Sequence, residues 1–155
     1  MLAYRVAPLI AIHVLAAAVW VGGMFFAYLV LRPATAPLEP GVRLPLWHRV
    51  LDGFFPWVWT SIVILLGSGL GMIFHYLGGF AGAGLYVQVM AGIGVTMVLL
   101  FLYLFFAPWR RFAEAVAGGH FAEAAKHLDQ IRKIVAANLA LGLVTIVVGA
   151  SGRFW

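Results

Sequence analysis

Residues 53–109 read GFFPWVWTSIVILLGSGLGMIFHYLGGFAGAGLYVQVMAGIGVTMVLLFLYLFFAPW, without a single Asp, Glu, Lys or Arg. A bilayer core about 30 Å thick needs about 20 apolar residues in helical form. This stretch is therefore long enough for two membrane-spanning helices. We predict the break between them at Gly78, Gly79, Gly82 and Gly84, because glycine disfavours helix interiors and permits tight turns.

Two more uncharged stretches, residues 6–31 and 134–152, flank this segment, and each supplies one further span. The chain is therefore predicted to be an all-α membrane protein with a four-transmembrane-helix bundle. Residues 1–155 form a single transmembrane domain in this interpretation. The helices are predicted at about 7–31, 54–77, 84–107 and 132–151.

The composition excludes several classes of protein. Hydrophobic residues make up 65% of the chain, charged residues 10%, and the mean hydropathy is +1.04. A soluble domain carries roughly 25% charged residues, so the lipid bilayer is the expected partner of most of this surface. The net charge of +5 resides mainly in loops and does not indicate nucleic-acid binding. The absence of cysteine excludes disulfides, thiolate metal sites and covalently attached c-type haem.

Basic residues predict the orientation in the membrane. Loops one and three contain eight of them, the second loop has none, and each terminus has one, Arg5 and Arg153. Basic loops stay in the cytoplasm, so both termini are predicted to lie outside. The eight loop residues are Arg32, Arg43, Arg49, Arg110, Arg111, Lys126, Arg132 and Lys133.

The third loop has a helical pattern of its own. Its apolar residues recur at helical spacing with polar residues between them, and Gly118 and Gly119 interrupt the pattern. We predict a short amphipathic helix on the cytoplasmic membrane surface. The apolar positions are Phe112, Ala115, Val116, Phe121, Ala124, Ala125 and Leu128.

Two histidines lie within the predicted spans. An ionisable residue inside a membrane helix is costly, and it is a functional candidate by default. His13 lies about two turns into the first helix and His75 lies near the end of the second. In the predicted topology both belong to the outer leaflet. Two imidazoles on adjacent helices can be axial ligands of haem b.

Small and polar residues recur on the same helices, and such stripes usually face other helices. Trp20, Gly67, Gly71 and Gln88 are predicted to line a haem site. The two glycines would give it flat walls without side chains. The same two histidines with Met72 or Met90 form an alternative copper site, since copper accepts both imidazole and thioether ligands.

A purely structural interpretation of the histidines stands beside these two. His13 is then a neutral residue that hydrogen-bonds between helices, and His75 is a hydrated interfacial residue. His48, His120 and His127 fall on the cytoplasmic side. They are expected to be solvated loop residues, and the alternative for them is a second, inner metal or haem site.

Two motifs carry a family resemblance. The run Ile12-His13-Val14-Leu15-Ala16-Ala17-Ala18-Val19-Trp20-Val21-Gly22-Gly23 resembles the first-helix signature of the CopD-like family of bacterial inner-membrane proteins. The closing residues 138–153 are also similar to the end of that family. The resemblance covers the four-helix layout and implies copper import.

The HemJ-type protoporphyrinogen oxidases look like relatives with the same layout. This second resemblance implies haem b binding, with His13 as a ligand, and porphyrinogen oxidation. HemJ-type proteins carry a Lys near the start of the third helix, where this chain has Gln88, and an Asn-Glu-Val-Pro run, of which only Asn138 is kept. These departures predict that porphyrinogen oxidation is absent.

The first functional hypothesis is therefore a membrane protein that holds haem b in its outer half and transfers electrons, with a quinone or a redox protein as partner. The alternative is a copper-binding or copper-transport protein. The second alternative is a cofactor-free structural or assembly subunit, with a homo-oligomer or a larger membrane complex as its setting. Whether the protein is an enzyme is left open by the sequence.

Overall fold

The computed structural model describes residues 2–154, and the side chains of residues 6–152 and 154 within that range. The side chains of Arg5 and Arg153 lie outside the described part. Within it, four helices are long and apolar enough to cross a membrane, and no β-strand occurs. The predicted all-α fold with four membrane-spanning helices is confirmed. The spans are Val6–Thr35, Pro40–Tyr76, Leu85–Ala117 and Phe121–Ser151.

The first and third spans each contain a wider, π-helical segment. Helix α1 (Leu2–Phe25) continues through the π segment Phe26–Leu31 into α2 (Arg32–Thr35). A proline lacks the amide hydrogen that bonds the carbonyl four residues earlier, and Pro33 is the second residue after this segment. The amide of Arg32 bonds the carbonyl of Ala27, five residues earlier, as a π turn requires.

The second span extends far beyond the apolar stretch that predicted it. Helix α3 (Pro40–Tyr76) begins 14 residues before the predicted start at residue 54, and its 37 residues span about 55 Å. Pro40 suits the first position of a helix, because the missing amide hydrogen is unpaired there anyway. Hydropathy identifies only the apolar part of α3, so it does not predict the amphipathic beginning of the helix.

A turn rich in glycine joins α3 to α4 (Leu85–Leu104), as predicted. Gly78 and Gly79 have φ angles of 71° and 85°, a left-handed conformation that glycine adopts at no steric cost. The amide of Gly79 donates to the carbonyl of Ile73 over 2.9 Å. Gly84 is the N-cap of α4. This turn therefore reverses the chain at the end of the bundle where α1 begins.

The third loop is helical on both sides of a short break. Helix α4 continues through the π segment Phe105–Trp109 into α5 (Arg110–Ala117), which buries Phe112 and Ala115 and exposes Arg111. Gly119 has a φ of 71°, and α6 (Phe121–Ser151) starts two residues later. The amphipathic pattern and the break are as predicted. Residues after the break, however, belong to the first turns of α6, so they extend the last span and not the loop helix.

The four spans pack as two pairs. Helix α1 lies along α3, α4 lies along α6, and α1 also contacts α6. An aromatic cluster joins the two pairs in the half of the bundle that leads to the arginine-containing loops, which we call the basic end. Its members are Phe55, Trp59, Phe101, Phe105 and Trp109, with edge-on rings at 4.9–5.7 Å.

Glycines set the closest approaches between helices. Gly23 of α1 contacts the ring of Phe54 on α3. A Cβ placed on Gly142 of α6 would lie 2.7 Å from Cγ2 of Val21 and 3.2 Å from Cε of Met97. Backbones that approach this closely are typical of helix packing in membranes. Gly142 of the last helix therefore faces the interior of the bundle.

Candidate functional site

His13 makes a direct contact between two membrane-spanning helices. Its ring is half-buried on α1, and its Nδ1 lies 2.8 Å from Oγ of Ser68 on α3. Ser68 is buried, with 5% of its surface exposed. The contact lies in the half of the bundle opposite the basic end. Part of the structural interpretation of His13 is therefore correct, since the residue does bond between helices.

The hydroxyl of Ser68 determines which nitrogen of His13 is protonated. Oγ of Ser68 lies 2.6 Å from the carbonyl oxygen of Ile64, one turn earlier on α3. A serine hydroxyl has one hydrogen to donate, and it retains lone pairs that accept. With that hydrogen given to Ile64, we assign Nδ1 of His13 as the donor in its bond to Ser68. The other ring nitrogen, Nε2, then carries an unshared electron pair, which is the form of imidazole that binds metals.

Gly69 gives the His13 ring its place against α3. A Cβ added at Gly69 would lie 3.3 Å from Cε1 and 3.8 Å from Nδ1 of the ring. The ring therefore packs directly against the α3 backbone, and glycine is the residue that leaves room for it. The run Gly67-Ser68-Gly69 is visible in the sequence, but nothing in it identifies the central serine as the partner of His13.

The other predicted wall residues of α3 lie apart from this contact. Gly67 is exposed and Gly71 is half-buried, and a Cβ added at either would meet nothing within 4 Å. Helix α3 thus turns Ser68 and Gly69 toward α1, while Gly67 borders open space on the surface of the bundle. A haem against Gly67 and Gly71 stays a prediction.

Met72 and His75 follow Ser68 along one face of α3. They stand at i+4 and i+7 from Ser68, so the three side chains are stacked along the helix. Met72 is half-buried and His75, in the last turn of α3, is exposed. Seven residues of helix separate Ser68 from His75, a rise of about 10 Å. The face therefore leads from the protein surface to the His13 contact.

The side chain of Gln88 forms hydrogen bonds to the glycine-rich turn. Its exposed side-chain amide donates from Nε2 to the carbonyls of Phe80 and Ala83, at 3.2 Å each. The side chain therefore ties the first turn of α4 to the glycine-rich turn. Its place as a wall of the cofactor site stays a prediction.

Met90 and Trp20 lie in two other parts of the bundle. Met90 belongs to the α4–α6 pair, where Cε lies 2.9 Å from the position of a Cβ on Gly149. Trp20 is buried, with 3% of its surface exposed, and its ring meets Phe101 edge-on at 6.2 Å. Trp20 thus anchors the core between α1 and α4, two turns from His13 along α1.

The three histidines predicted to lie on the cytoplasmic side have distinct surroundings. His48 is half-buried and stacks on Trp109 at 5.0 Å. His120 is the exposed N-cap of α6. His127 lies 3.8 Å from Glu123 and 3.4 Å from Gln130 on the same helix. In residues 2–154, no three His, Asp or Glu side chains gather as a metal group.

The sequence was compared with known protein families. The family described as Copper resistance protein D, CopD, matches residues 48–151, which is more than half of the chain. The chain belongs to the CopD family. This result confirms the predicted resemblance to CopD-like proteins, whereas it gives no support to a relationship with HemJ.

The family match covers α3 from His48 onward, all of α4 and α5, and α6 up to its last residue. It therefore includes Ser68, Met72 and His75 of this CopD-family protein. His13 and the first-helix motif precede the matched segment. No curated protein and no solved structure matches the chain.

Proposed function

We propose that this protein binds copper inside the membrane as cargo, at a site built on His13 and reached along α3. The observation that carries the proposal is the bond between His13 and Ser68, which leaves Nε2 of an intramembrane imidazole with a free electron pair. Membership of a copper-resistance family is the reason for proposing copper as the metal. Imidazole and thioether groups both suit copper, and thioethers favour Cu(I).

The succession of donors on α3 supports a route to this site. His75 is exposed at the end of the helix, Met72 is half-buried one turn deeper, and Ser68 with His13 follows after one more turn. Each step is one turn of helix, about 5 Å. A transported ion requires sites that bind it well enough to admit it and weakly enough to release it. A sparse series of single donors suits that requirement better than a closed three-ligand group.

The haem b hypothesis receives less support than copper. The family description names copper. The same histidines are candidate ligands in both cases. The absorption spectrum of the purified protein separates them, because haem gives a Soret band and Cu(I) gives none.

The direct test is copper binding and uptake by the full chain. We expect purified protein to take Cu(I) from a chromophoric chelator, and vesicles containing it to accumulate copper faster than empty vesicles. His13→Ala should abolish both effects. His127→Ala is the matched control, because His127 lies on α6 near the basic end and should retain both.

Three outcomes would contradict the proposal. Wild-type protein that fails to bind Cu(I) favours the cofactor-free assembly subunit, especially if a larger complex co-purifies. A Soret band lost in His13→Ala favours haem. Equal copper binding by His13→Ala and wild type removes His13 from the site.

A further inference from the structure

Three arginines from separate segments converge at the basic end of the bundle. Arg32 begins α2, Arg43 lies in the first turn of α3, and Arg132 lies on α6. Arg32 and Arg43 are close enough to act electrostatically on the guanidinium of Arg132. All three side chains are half-buried. We call this group the arginine cluster. Like charges brought together in this way repel one another unless an anion lies between them.

The protein itself offers the arginine cluster few acceptors. Nε of Arg43 and Nε of Arg132 are both buried without a hydrogen-bond partner. Arg43 donates only from Nη1, to the carbonyl of Ala36 at 3.2 Å. Asp129 is the nearby acid, but its carboxylate pairs with Lys133 at 2.8 Å. Across the described side chains, none of the three arginines forms an ion pair.

Two aromatic rings hold the guanidiniums in position. Cζ of Arg32 lies 5.0 Å from the ring centre of Tyr28, and Cζ of Arg132 lies 5.8 Å from that of Trp47. Trp47 is fixed in turn, since its Nε1 donates to Oγ1 of Thr35 over 3.0 Å. Arginine planes stacked on aromatic rings keep their N–H edges free for an anion.

A small apolar cavity of about 20 Å³ lies beneath the two stacked arginines. Its walls include Tyr28, Arg32, Trp47, Leu51 and Arg132. The cavity is too small for a phosphate group, so an anion must lie at its mouth, among the guanidiniums. An apolar portion attached to that anion would meet the walls. This combination of a charged rim and an apolar interior is the chemistry of a phospholipid.

We propose that the arginine cluster binds the phosphate of an anionic phospholipid, with Arg32 and Arg132 as its main donors. Arginine forks match phosphate oxygens with two hydrogen bonds each, and Arg32 and Arg132 both line the cavity. The site lies where the spans leave the hydrocarbon core, which is the depth of the headgroups. Basic pockets between membrane helices bind acidic headgroups by this chemistry.

Lipid titration of the full-length protein, followed by native mass spectrometry, tests this site. Phosphatidylglycerol should bind wild type more tightly than phosphatidylcholine, and inorganic phosphate should not displace it. The double variant Arg32→Gln with Arg132→Gln should bind phosphatidylglycerol about 25-fold more weakly, at about fivefold per arginine. The control variant, Arg49→Gln with Arg111→Gln, removes the same charge from exposed positions and should bind like wild type.

Each contrary outcome is decisive. Equal loss in the double variant and the control means that overall charge, and not the cluster, attracts lipid. Displacement by inorganic phosphate means that the ligand is a free phosphate. If the double variant does not fold, the wild type alone decides, since equal affinity for phosphatidylglycerol and phosphatidylcholine overturns the proposal.

Discussion

His13 on α1 and Ser68 on α3 share a 2.8 Å hydrogen bond, and we assign the histidine as its donor because Oγ of Ser68 lies 2.6 Å from the carbonyl oxygen of Ile64. The bond fixes the ring orientation and keeps Nε2 unprotonated. Groups of this kind behind a metal-binding histidine raise its basicity and hold its tautomer. Ser68 is therefore a positioning residue for the proposed copper site.

Ser68→Ala should weaken Cu(I) binding by about 10–100-fold, the usual cost of losing a group that orients a metal ligand. The ring then lacks the acceptor that keeps the proton on Nδ1. A competition titration with a Cu(I) chelator measures the change. Ser61→Ala is the control, because Ser61 is also a buried serine on α3. If both variants weaken binding equally, Ser68 acts only on helix packing.

Gly142→Ala should destabilise the bundle by about 1–3 kcal/mol, the typical cost of forcing added atoms into a packed interior. The new methyl group would meet Val21 at 2.7 Å, and valine has no flexible end that can move away. Gly92→Ala is the control, since nothing lies within 4 Å of its added Cβ. Thermal unfolding in one detergent compares the two variants. Equal midpoints would mean that the α1–α6 contact is not close-packed.

Hydropathy predicts the number of spans well because a helix segment that crosses the bilayer must be apolar. Residues outside the lipid need not be apolar, so hydropathy does not predict where a helix begins there. The predicted spans at residues 54–77 and 132–151 end within one residue of the ends of α3 and α6, but these helices begin much earlier, at Pro40 and Phe121. Helix signals other than hydropathy set those beginnings. Pro40 occupies the first turn of α3, and the left-handed Gly119 ends the preceding helix.

The site could be predicted only in part. The cost of an ionisable residue inside a membrane helix selects His13 from a single sequence. Its hydrogen-bond partner, however, depends on the register between α1 and α3. That register is established by packing contacts such as the one between Gly23 and Phe54. One residue along a helix rotates the side chain by about 100°. Gly67 and Ser68 therefore face different surroundings, and both lie in stripes of small residues that look alike in sequence.

The orientation of the bundle is tested with a reporter enzyme that is active only outside the cytoplasm. Fused after Trp155, it should be active, and inserted near Gly118, it should be silent. The reason is that the loops with eight basic residues remain inside. The opposite pattern would place His75 and the glycine-rich turn in the cytoplasm, and copper would then approach from that side.

The native Gln88 should leave the protein without protoporphyrinogen oxidase activity. Gln88 stands where the HemJ pattern has a lysine, and its amide is engaged with the carbonyls of Phe80 and Ala83. Fluorescence of the porphyrin product measures the reaction. A Gln88→Lys variant is the companion measurement. Clear turnover by the native protein would show that the substitution does not abolish the chemistry.

His13→Ala and His75→Ala should have unequal effects on copper. Loss of His13 removes the half-buried ligand itself, so affinity should fall by more than about 100-fold, beyond the cost of losing an orienting neighbour. His75 is exposed at the end of α3, where it meets copper first. Its loss should reduce the rate of uptake into vesicles more than the equilibrium affinity. Chelator competition measures affinity, and time-resolved uptake measures the rate.

The inequality between the two variants distinguishes a route from a single two-histidine centre. If one metal or one haem were held by both rings, either substitution should remove most of the affinity, and with haem the spectrum should change in both variants. A route along α3 predicts a rate defect for His75→Ala and also for Met72→Ala, because Met72 lies between His75 and Ser68. Met90→Ala should retain wild-type uptake, since Met90 packs against Gly149 in the other helix pair. A slower uptake in Met90→Ala than in Met72→Ala would move the route to the α4–α6 pair.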